Sequence, residues 1–360
     1  MINLRSDLRN NHRWDPICEW QVSFLQHRNE ERKSGNSALS EIDVWLGNGH
    51  WEGKQGLHYW AGHTNLDEGR YNILCDFESR NNHEAWENKF DRILTLDADI
   101  VEWRNNILGE RKYVYVYTPI SDHWFDMWSW DRKKLRDVIV CGTINDKYLL
   151  RNMLNPIADF NNEWVGDGRT ELREGINRGM RGEGYPEKME LISKCKVSVC
   201  WNAVPVSYEA IKQMLNDPSQ LDNPTHRHVR FLRNPNDTWP QDFSKLFGDR
   251  GKTWAIDGNM KYLKPQLKTR AFEAAACKSL ILSCYDDFHH LNYWFNEGED
   301  FVYFQPGKLG EKLTEILEDY SSYDSMRKSA HAKASQHYKT SNFWNDFIAT
   351  FTPKVVNQHQ

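Results

Sequence analysis

The sequence lacks the features that mark several large classes of protein. Its seven cysteines include no Cys-x-x-Cys pair, and its 360 residues contain no internal repeat and no low-complexity tract. No apolar run approaches the roughly 20 residues that a membrane-spanning helix needs, and the first residues carry no apolar signal core. We therefore expect a cytoplasmic protein with buried, reduced thiols, and neither a zinc site nor a disulfide framework.

An excess of positive charge is also missing. The chain carries 46 lysines and arginines against 51 aspartates and glutamates, and the net charge of −5 disfavours a protein that is basic over its whole surface. Basic residues nevertheless concentrate at 132–136, at 226–233 and in a glycine-rich stretch at 166–184. The composition is that of a soluble globular protein, and the length is sufficient for two domains, each with its own core.

The pattern that is present is an alternation of short apolar strands and helices. Strands of a first series are predicted at 42–46, 71–77, 90–96 and 112–117. An aromatic segment at 121–131 is interpreted as a hinge. Strands of a second series are predicted at 137–141, 192–200 and 280–284, and a turn that leads into a further strand at 295–304. Helices are predicted at 147–155, 309–319, 325–338 and 343–351. Because such alternation is typical of parallel sheets, the predicted fold class is α/β.

The most informative stretch covers residues 268–284. It is predicted to form a helix, small and apolar over 272–277, and then a short buried strand. Arg270 and Glu273 lie one turn apart on one face of that helix. A helix amino terminus carries partial positive charge and unpaired N–H groups, so Lys268 and Arg270 make it a candidate diphosphate site. Glu273 is placed to accept hydrogen bonds from the two hydroxyls of a ribose.

This stretch resembles the nucleotide-sugar site of the GT-B glycosyltransferases. In that family a helix that opens with Thr-Arg-x-x-Glu, here Thr269 to Glu273, holds the ribose and the phosphates of the donor. The resemblance covers about the last third of the chain well and the rest loosely. It implies a GT-B fold, in which two Rossmann-like domains face each other across a cleft.

Domain limits are expected to follow the same plan. Residues 1–130 would form the acceptor-side domain, and residues 131–340 the donor-binding domain, with an insertion at about 203–262. Residues 341–360 would return to the first domain as a final helix. The implied co-substrate is a nucleotide diphosphate sugar, with UDP as the expected nucleotide, and no other cofactor is expected.

Ligands of open α/β sheets bind beyond the carboxyl ends of the strands. The turn after the strand at 137–141 offers backbone N–H groups there and is followed by basic residues. Phage DNA β-glucosyltransferases are similar at this point, although Asn145 stands where those enzymes carry an arginine. The predicted donor-binding residues are Gly142, Thr143, Asn145, Lys147, Asn202, Lys268, Thr269, Arg270 and Glu273.

Transfer also needs a base for the acceptor hydroxyl. Asp76 and Glu78 lie at the end of the strand at 71–77 and, by strand alternation, on the same face. The DNA β-glucosyltransferases carry a catalytic aspartate after a comparable strand, so both carboxylates are predicted catalytic residues. A helix cap or a salt bridge is the structural alternative for them. The rival bases are three histidines in a glycine-rich aromatic loop, His50, His58 and His63.

The stereochemistry follows from a departure from the family pattern. Retaining GT-B enzymes often carry a glutamate eight residues before the position of Glu273, and this chain has Pro265 there. An inverting, metal-independent transfer is therefore expected. Two alternatives remain. Asp97 and Asp99 resemble the metal-binding Asp-x-Asp of GT-A glycosyltransferases, although either can cap the helix that follows. A non-catalytic nucleotide-sugar-binding protein is the other.

Two classes of acceptor are compatible with the sequence. One is a hydroxyl of a glycan or surface molecule, as in the CgeB-like enzymes that the chain also resembles. The other is a hydroxymethylated base in phage DNA, in which case the protein would act in the host cytoplasm. The basic stretch at 226–233 favours DNA, whereas the net charge of −5 disfavours it.

Overall fold

The computed structural model describes thirteen segments of the chain. They are residues 3–5, 42–46, 71–75, 88, 90–96, 98–117, 119–144, 147–166, 172–179, 184–207, 253–256, 259–286 and 289–343. Within these segments the chain forms two parallel five-stranded sheets and a smaller antiparallel sheet. None of the helices described there is long and apolar enough to cross a membrane. The predicted α/β class with parallel sheets is confirmed.

The first sheet belongs to what we call the amino-terminal lobe, residues 3–117. Its strands are β1 (Asn3–Arg5), β2 (Ile42–Leu46), β3 (Tyr71–Cys75), β4 (Arg92–Thr95) and β5 (Tyr113–Tyr115). They lie side by side in chain order, and all neighbouring pairs are parallel. The central side chains Ile73, Leu74, Ile93 and Leu94 are all buried, as expected for a parallel sheet covered on both faces.

The second large sheet belongs to the carboxyl-terminal lobe, residues 136–337. Its strands are β6 (Arg136–Cys141), β7 (Asn162–Val165), β8 (Cys195–Cys200), β12 (Leu280–Cys284) and β13 (Phe301–Phe304). The spatial order is β13-β12-β8-β6-β7, and every neighbouring pair is parallel. Read from β6 as the first strand, this is the 2-1-3-4-5 order of flavodoxin-like sheets.

The small sheet lies in the predicted insertion and extends slightly past its end. Its strands are β9 (Ala203–Ser207), β10 (Thr253–Ile256) and β11 (Asn259–Pro265), in the antiparallel order β10-β11-β9. The residues between β9 and β10 lie outside the described part of the chain. The sequence did not predict these three strands, because proline, asparagine and basic residues obscure the apolar alternation of this region.

The described helices connect the strands of both lobes. They are α1 (Ala98–Leu108), α2 (His123–Asp126), α3 (Lys147–Leu149), α4 (Tyr185–Ser193), α5 (Arg270–Ala276), α6 (Leu309–Glu318) and α7 (Asp324–His337). The segment at 121–131, interpreted as a hinge, contains the short helix α2. The strand predicted to begin at residue 192 begins at Cys195, because Ile192 and Ser193 still complete α4.

The two lobes contact each other through backbone hydrogen bonds and aromatic rings. The N–H of Leu267 donates to the carbonyl of Leu96 at 3.2 Å, which joins the end of β4 to the segment before α5. The ring of Tyr117, beyond β5, lies 5.9 Å from that of Phe272 in α5 and 4.8 Å from that of Tyr338. The start of α5 is therefore held at the junction between the lobes. The predicted limits of the domains, including the returning helix at 341–360, stay a prediction.

Candidate active site

The strand order of the carboxyl-terminal lobe creates a crevice at one point of its edge. From β6 the chain continues to β7 on one side and then to β8 on the other side of β6. Connections that leave adjacent strands in opposite directions open a crevice beyond their carboxyl ends, where ligands of such sheets bind. We call this region the switch-point crevice. It is formed by residues 141–144 after β6 and residues 200–202 after β8.

The guanidinium group of Arg270 lies in the switch-point crevice. Its Cζ is 3.7 Å from the centroid of the Trp201 ring, and its Nε donates a hydrogen bond to the carbonyl of Cys141. A Cβ added at Gly142 would collide with Nη2 of the arginine. Gly142 also has a φ of +134°, which L side chains rarely adopt. This turn therefore requires glycine for its backbone and for the close approach of Arg270.

Arg270 is half-buried as a residue, but its Nη1 is buried, and it forms no ion pair within the described part of the chain. Within the described part of the chain its Nη1 has no hydrogen-bond partner and no carboxylate pairs with it. Burial lowers the pKa of its guanidinium group, although arginine remains charged at neutral pH. Burial also raises the pKa of the neighbouring Cys141 and Cys200 thiols to about 12, so both stay neutral. The crevice consequently carries a positive charge that no ion pair neutralises within the described part of the chain.

A second unpaired donor follows Trp201 in the chain. Asn202 is buried, and its side-chain oxygen accepts the N–H of Lys268 at 3.1 Å. Its carbonyl accepts the N–H of Gln266 at 2.8 Å. Its Nδ2 has no hydrogen-bond partner among the described residues. Two unpaired N–H donors, Arg270 Nη1 and Asn202 Nδ2, suit an anionic ligand with several acceptor oxygens.

Trp164 orients the turn after β6. Its Nε1 donates to the carbonyl of Gly142 at 3.1 Å, and the Cζ of Arg178 lies 4.8 Å from the centroid of its ring. In a trans peptide the carbonyl and the next N–H point in opposite directions. The N–H of Thr143 therefore points away from Trp164.

Glu273 is fully buried and forms an ion pair with a lysine from another helix. Its Oε1 lies 2.7 Å from Nζ of Lys188 in α4. Its Oε2 has no hydrogen-bond partner among the described residues. Arg270 and Glu273 thus both point into the protein rather than forming an exposed pair on one helix face. Of the two carboxylate oxygens, Oε2 is the one that remains for a hydroxyl group of a ligand.

Comparisons with known proteins identify the fold. Residues 236–351 match a family model described as glycosyl transferase-like. Among solved structures, an alpha-glucosyltransferase in complex with UDP-glucose and DNA containing an abasic site matches with a TM-score of 0.51 and 11% identity, over 86% of this chain and 80% of the other. The chain has a GT-B glycosyltransferase fold. The predicted GT-B fold is thereby confirmed.

Two further GT-B structures are similar at a lower level. HepE from Anabaena, in complex with UDP-glucose, has a TM-score of 0.44 and 9% identity over 86% of this chain and 79% of HepE. TarM from S. aureus has a TM-score of 0.49 and 8% identity over 86% of this chain, but the chain spans only 54% of the length of TarM. No curated protein matches the chain in sequence.

The GT-B fold brings several predicted donor residues together at the switch-point crevice. These residues are Gly142, Thr143, Asn202, Lys268 and Arg270. Thr269 directly precedes α5 without a side-chain cap hydrogen bond, and Lys147 is exposed at the start of α3. The predicted residues that lie outside the described part of the chain are Asn145, Asp76, Glu78, Asp97, His50, His58 and His63. The GT-A alternative, which rests on Asp97 and Asp99, does not agree with this fold.

Sequence reasoning missed two residues of the GT-B site. Trp201 stands directly after a predicted strand, so the position of that strand end was a usable signal for it. Lys188 is separated from Glu273 by 85 residues, and no local pattern marks it. Only the packing of α4 against α5 brings this lysine to the carboxylate.

We predict that Lys188→Met destabilises the protein through the buried carboxylate of Glu273. The loss of its partner should lower the free energy of unfolding by about 3 kcal/mol, as measured by chemical denaturation. Lys308→Met is the matched control, because Lys308 and Glu311 form an ion pair with side chains 60% and 71% exposed. That change should cost less than about 1 kcal/mol. Equal losses in the two variants would contradict the prediction.

Proposed function

We propose that this GT-B protein transfers a sugar from a UDP-sugar to an acceptor hydroxyl. The observation that carries the proposal is the guanidinium group of Arg270 at the switch-point crevice, whose buried Nη1 has no hydrogen-bond partner and which forms no ion pair among the described residues. A diphosphate is the ligand that such a charge suits, and diphosphate sugars are the donors of the glycosyltransferases with this fold. UDP-glucose in the structure of the alpha-glucosyltransferase supports UDP as the nucleotide.

Each requirement of the reaction has candidate residues in this chain. Arg270 and Lys268 stabilise the negative charge that develops on the leaving diphosphate, and the N–H of Asn202 Nδ2 adds a hydrogen bond. The N–H of Thr143 provides a backbone donor, because Trp164 holds the preceding carbonyl. Oε2 of Glu273 accepts a hydrogen bond from a ribose hydroxyl.

The acceptor hydroxyl loses its proton to a carboxylate of the amino-terminal lobe. Asp76 or Glu78 is the proposed base, since both follow β3 in the sequence. β3 pairs with β4, and the residue Leu96 just after β4 bonds to the segment before α5. The reaction is proposed to be an inverting displacement, in which one base and one step suffice. It is also proposed to be metal-independent, because the buried cation Arg270 can stabilise the diphosphate charge itself.

A hydroxymethylated base in DNA is the proposed acceptor, and a glycan or surface hydroxyl is the second candidate. DNA modification is supported by the basic residues at 226–233 and by the DNA in the complex of the alpha-glucosyltransferase. A glycan acceptor is supported by the net charge of −5, which weakens general attraction to DNA.

We predict that Arg270→Ala weakens the binding of UDP-glucose roughly 100-fold, because a charge-assisted hydrogen bond to the diphosphate is lost. Isothermal titration calorimetry measures this loss, and Arg270→Lys should retain part of the affinity. Arg173→Ala is the control, since Arg173 pairs with Asp159 and both side chains are exposed. Unchanged affinity in Arg270→Ala would reject the proposed donor site.

A second prediction distinguishes turnover of UDP-glucose from its binding. The wild-type protein should slowly hydrolyse UDP-glucose when no acceptor is present, as measured by the release of UDP. Asp76→Asn or Glu78→Gln should keep the affinity for UDP-glucose and lower turnover by at least about 100-fold. A protein that binds UDP-glucose without any turnover would instead be a non-catalytic nucleotide-sugar-binding protein.

The DNA acceptor makes a third prediction about ionic strength. The affinity for duplex DNA that contains hydroxymethylcytosine should fall about tenfold or more between 50 and 200 mM salt, because phosphate contacts release counterions. Filter binding measures this affinity, and transfer of labelled glucose to the DNA measures activity. Labelling of a glycan but not of the DNA would favour the second candidate acceptor.

A further inference from the structure

We infer that Trp201 is a positioning residue for the donor diphosphate, acting through Arg270. Its ring holds the guanidinium plane so that Nη1 stays directed to the ligand in the switch-point crevice. This inference rests on the proposed function, and it assigns a role to a residue that does not itself touch the donor.

The geometry fixes the arginine at two atoms. The Cζ of Arg270 lies 3.7 Å from the ring centroid of Trp201, and Nε donates to the carbonyl of Cys141. An arginine side chain has several rotatable bonds, so holding it in one arrangement costs conformational entropy. Stacking on a ring provides that restraint before the ligand arrives, because Trp201 is itself only 3% exposed and packed in the core of the lobe.

The choice of partner preserves the charge of the arginine. A carboxylate would also hold Arg270, but it would neutralise the charge that attracts a diphosphate. The nearest acid along α5 is Glu273, and this carboxylate is instead paired with Lys188 at 2.7 Å. A tryptophan face attracts a cation without supplying a formal negative charge. Arg270 is therefore restrained by the ring, and no ion pair among the described residues neutralises its charge.

The same segment also fixes where α5 begins. Asn202, directly after Trp201, binds the N–H of Lys268 through its side chain and the N–H of Gln266 through its carbonyl. The ring and the start of the helix that carries Arg270 are thus joined over a few residues. A change at Trp201 should alter the direction of the arginine rather than the place of the helix.

The test compares three ligands in two variants of Trp201. Isothermal titration calorimetry with UDP-glucose, UDP and uridine separates contacts to the diphosphate from contacts to the nucleoside. Trp201→Leu should weaken the binding of UDP-glucose and of UDP by about tenfold, because a desolvated cation–π contact is lost. The affinity for uridine should stay unchanged. Trp201→Phe retains a ring and should remain within about threefold of the wild type for all three ligands.

A double-mutant cycle links the effect to the arginine. In the Arg270→Ala background, Trp201→Leu should change the affinity for UDP by less than about twofold, because the group that the ring positions is absent. Thermal unfolding of each variant checks that it is folded. If Trp201→Leu does not fold, the decision falls on Trp201→Met, which also removes the ring and should weaken the binding of UDP about tenfold but leave the binding of uridine unchanged.

The outcomes separate this inference from the proposed function. A wild-type protein that binds neither UDP-glucose nor UDP would reject the UDP-sugar donor, and the inference with it. A wild type that binds both, with unchanged affinity for UDP in the folded variant that lacks the ring, would reject the inference alone. Equal losses for uridine and UDP, or an undiminished effect in the Arg270→Ala background, would show that Trp201 only supports the fold.

Discussion

The candidate site depends on one buried charge that no ion pair neutralises within the part of the chain that the structure describes. Removing a guanidinium group from water is unfavourable unless hydrogen bonds or an opposite charge compensate for it. Arg270 donates one hydrogen bond to the carbonyl of Cys141 and stacks on the ring of Trp201. This incomplete compensation leaves a strong attraction for an anion at the carboxyl edge of the sheet.

The buried acid one turn further along the same helix, in contrast, has an ion-pair partner. Glu273 is paired with Lys188 from α4, although Arg270 precedes it by only three residues. Because the lysine engages the carboxylate, the acid does not neutralise the arginine. The packing of α4 against α5 therefore protects the charge in the crevice while it also joins the two helices.

Part of this arrangement could be predicted from the sequence. The bounds of β2 and β12 match the predicted strands, because both are short apolar segments with clear ends. The strands β1 and β7 were missed, since Asn3–Arg5 and Asn162–Val165 contain too many polar residues for a pattern to appear. Arg270 was found because a local motif marks it. Lys188 was not, because its role arises only from packing between distant segments.

The pairing of β9 with β11 has a consequence for how this chain can vary. Ala203 pairs with Pro265 directly beside the residues that form the crevice, and the next pairs continue outward to Ser207 and Lys261. This pairing holds the start of β9 next to the end of β11, whatever the length of the segment between β9 and β10. The entropic cost of closing a loop rises only slowly with its length. Related chains can therefore carry a longer, shorter or different segment between β9 and β10 without displacing Asn202 from Lys268.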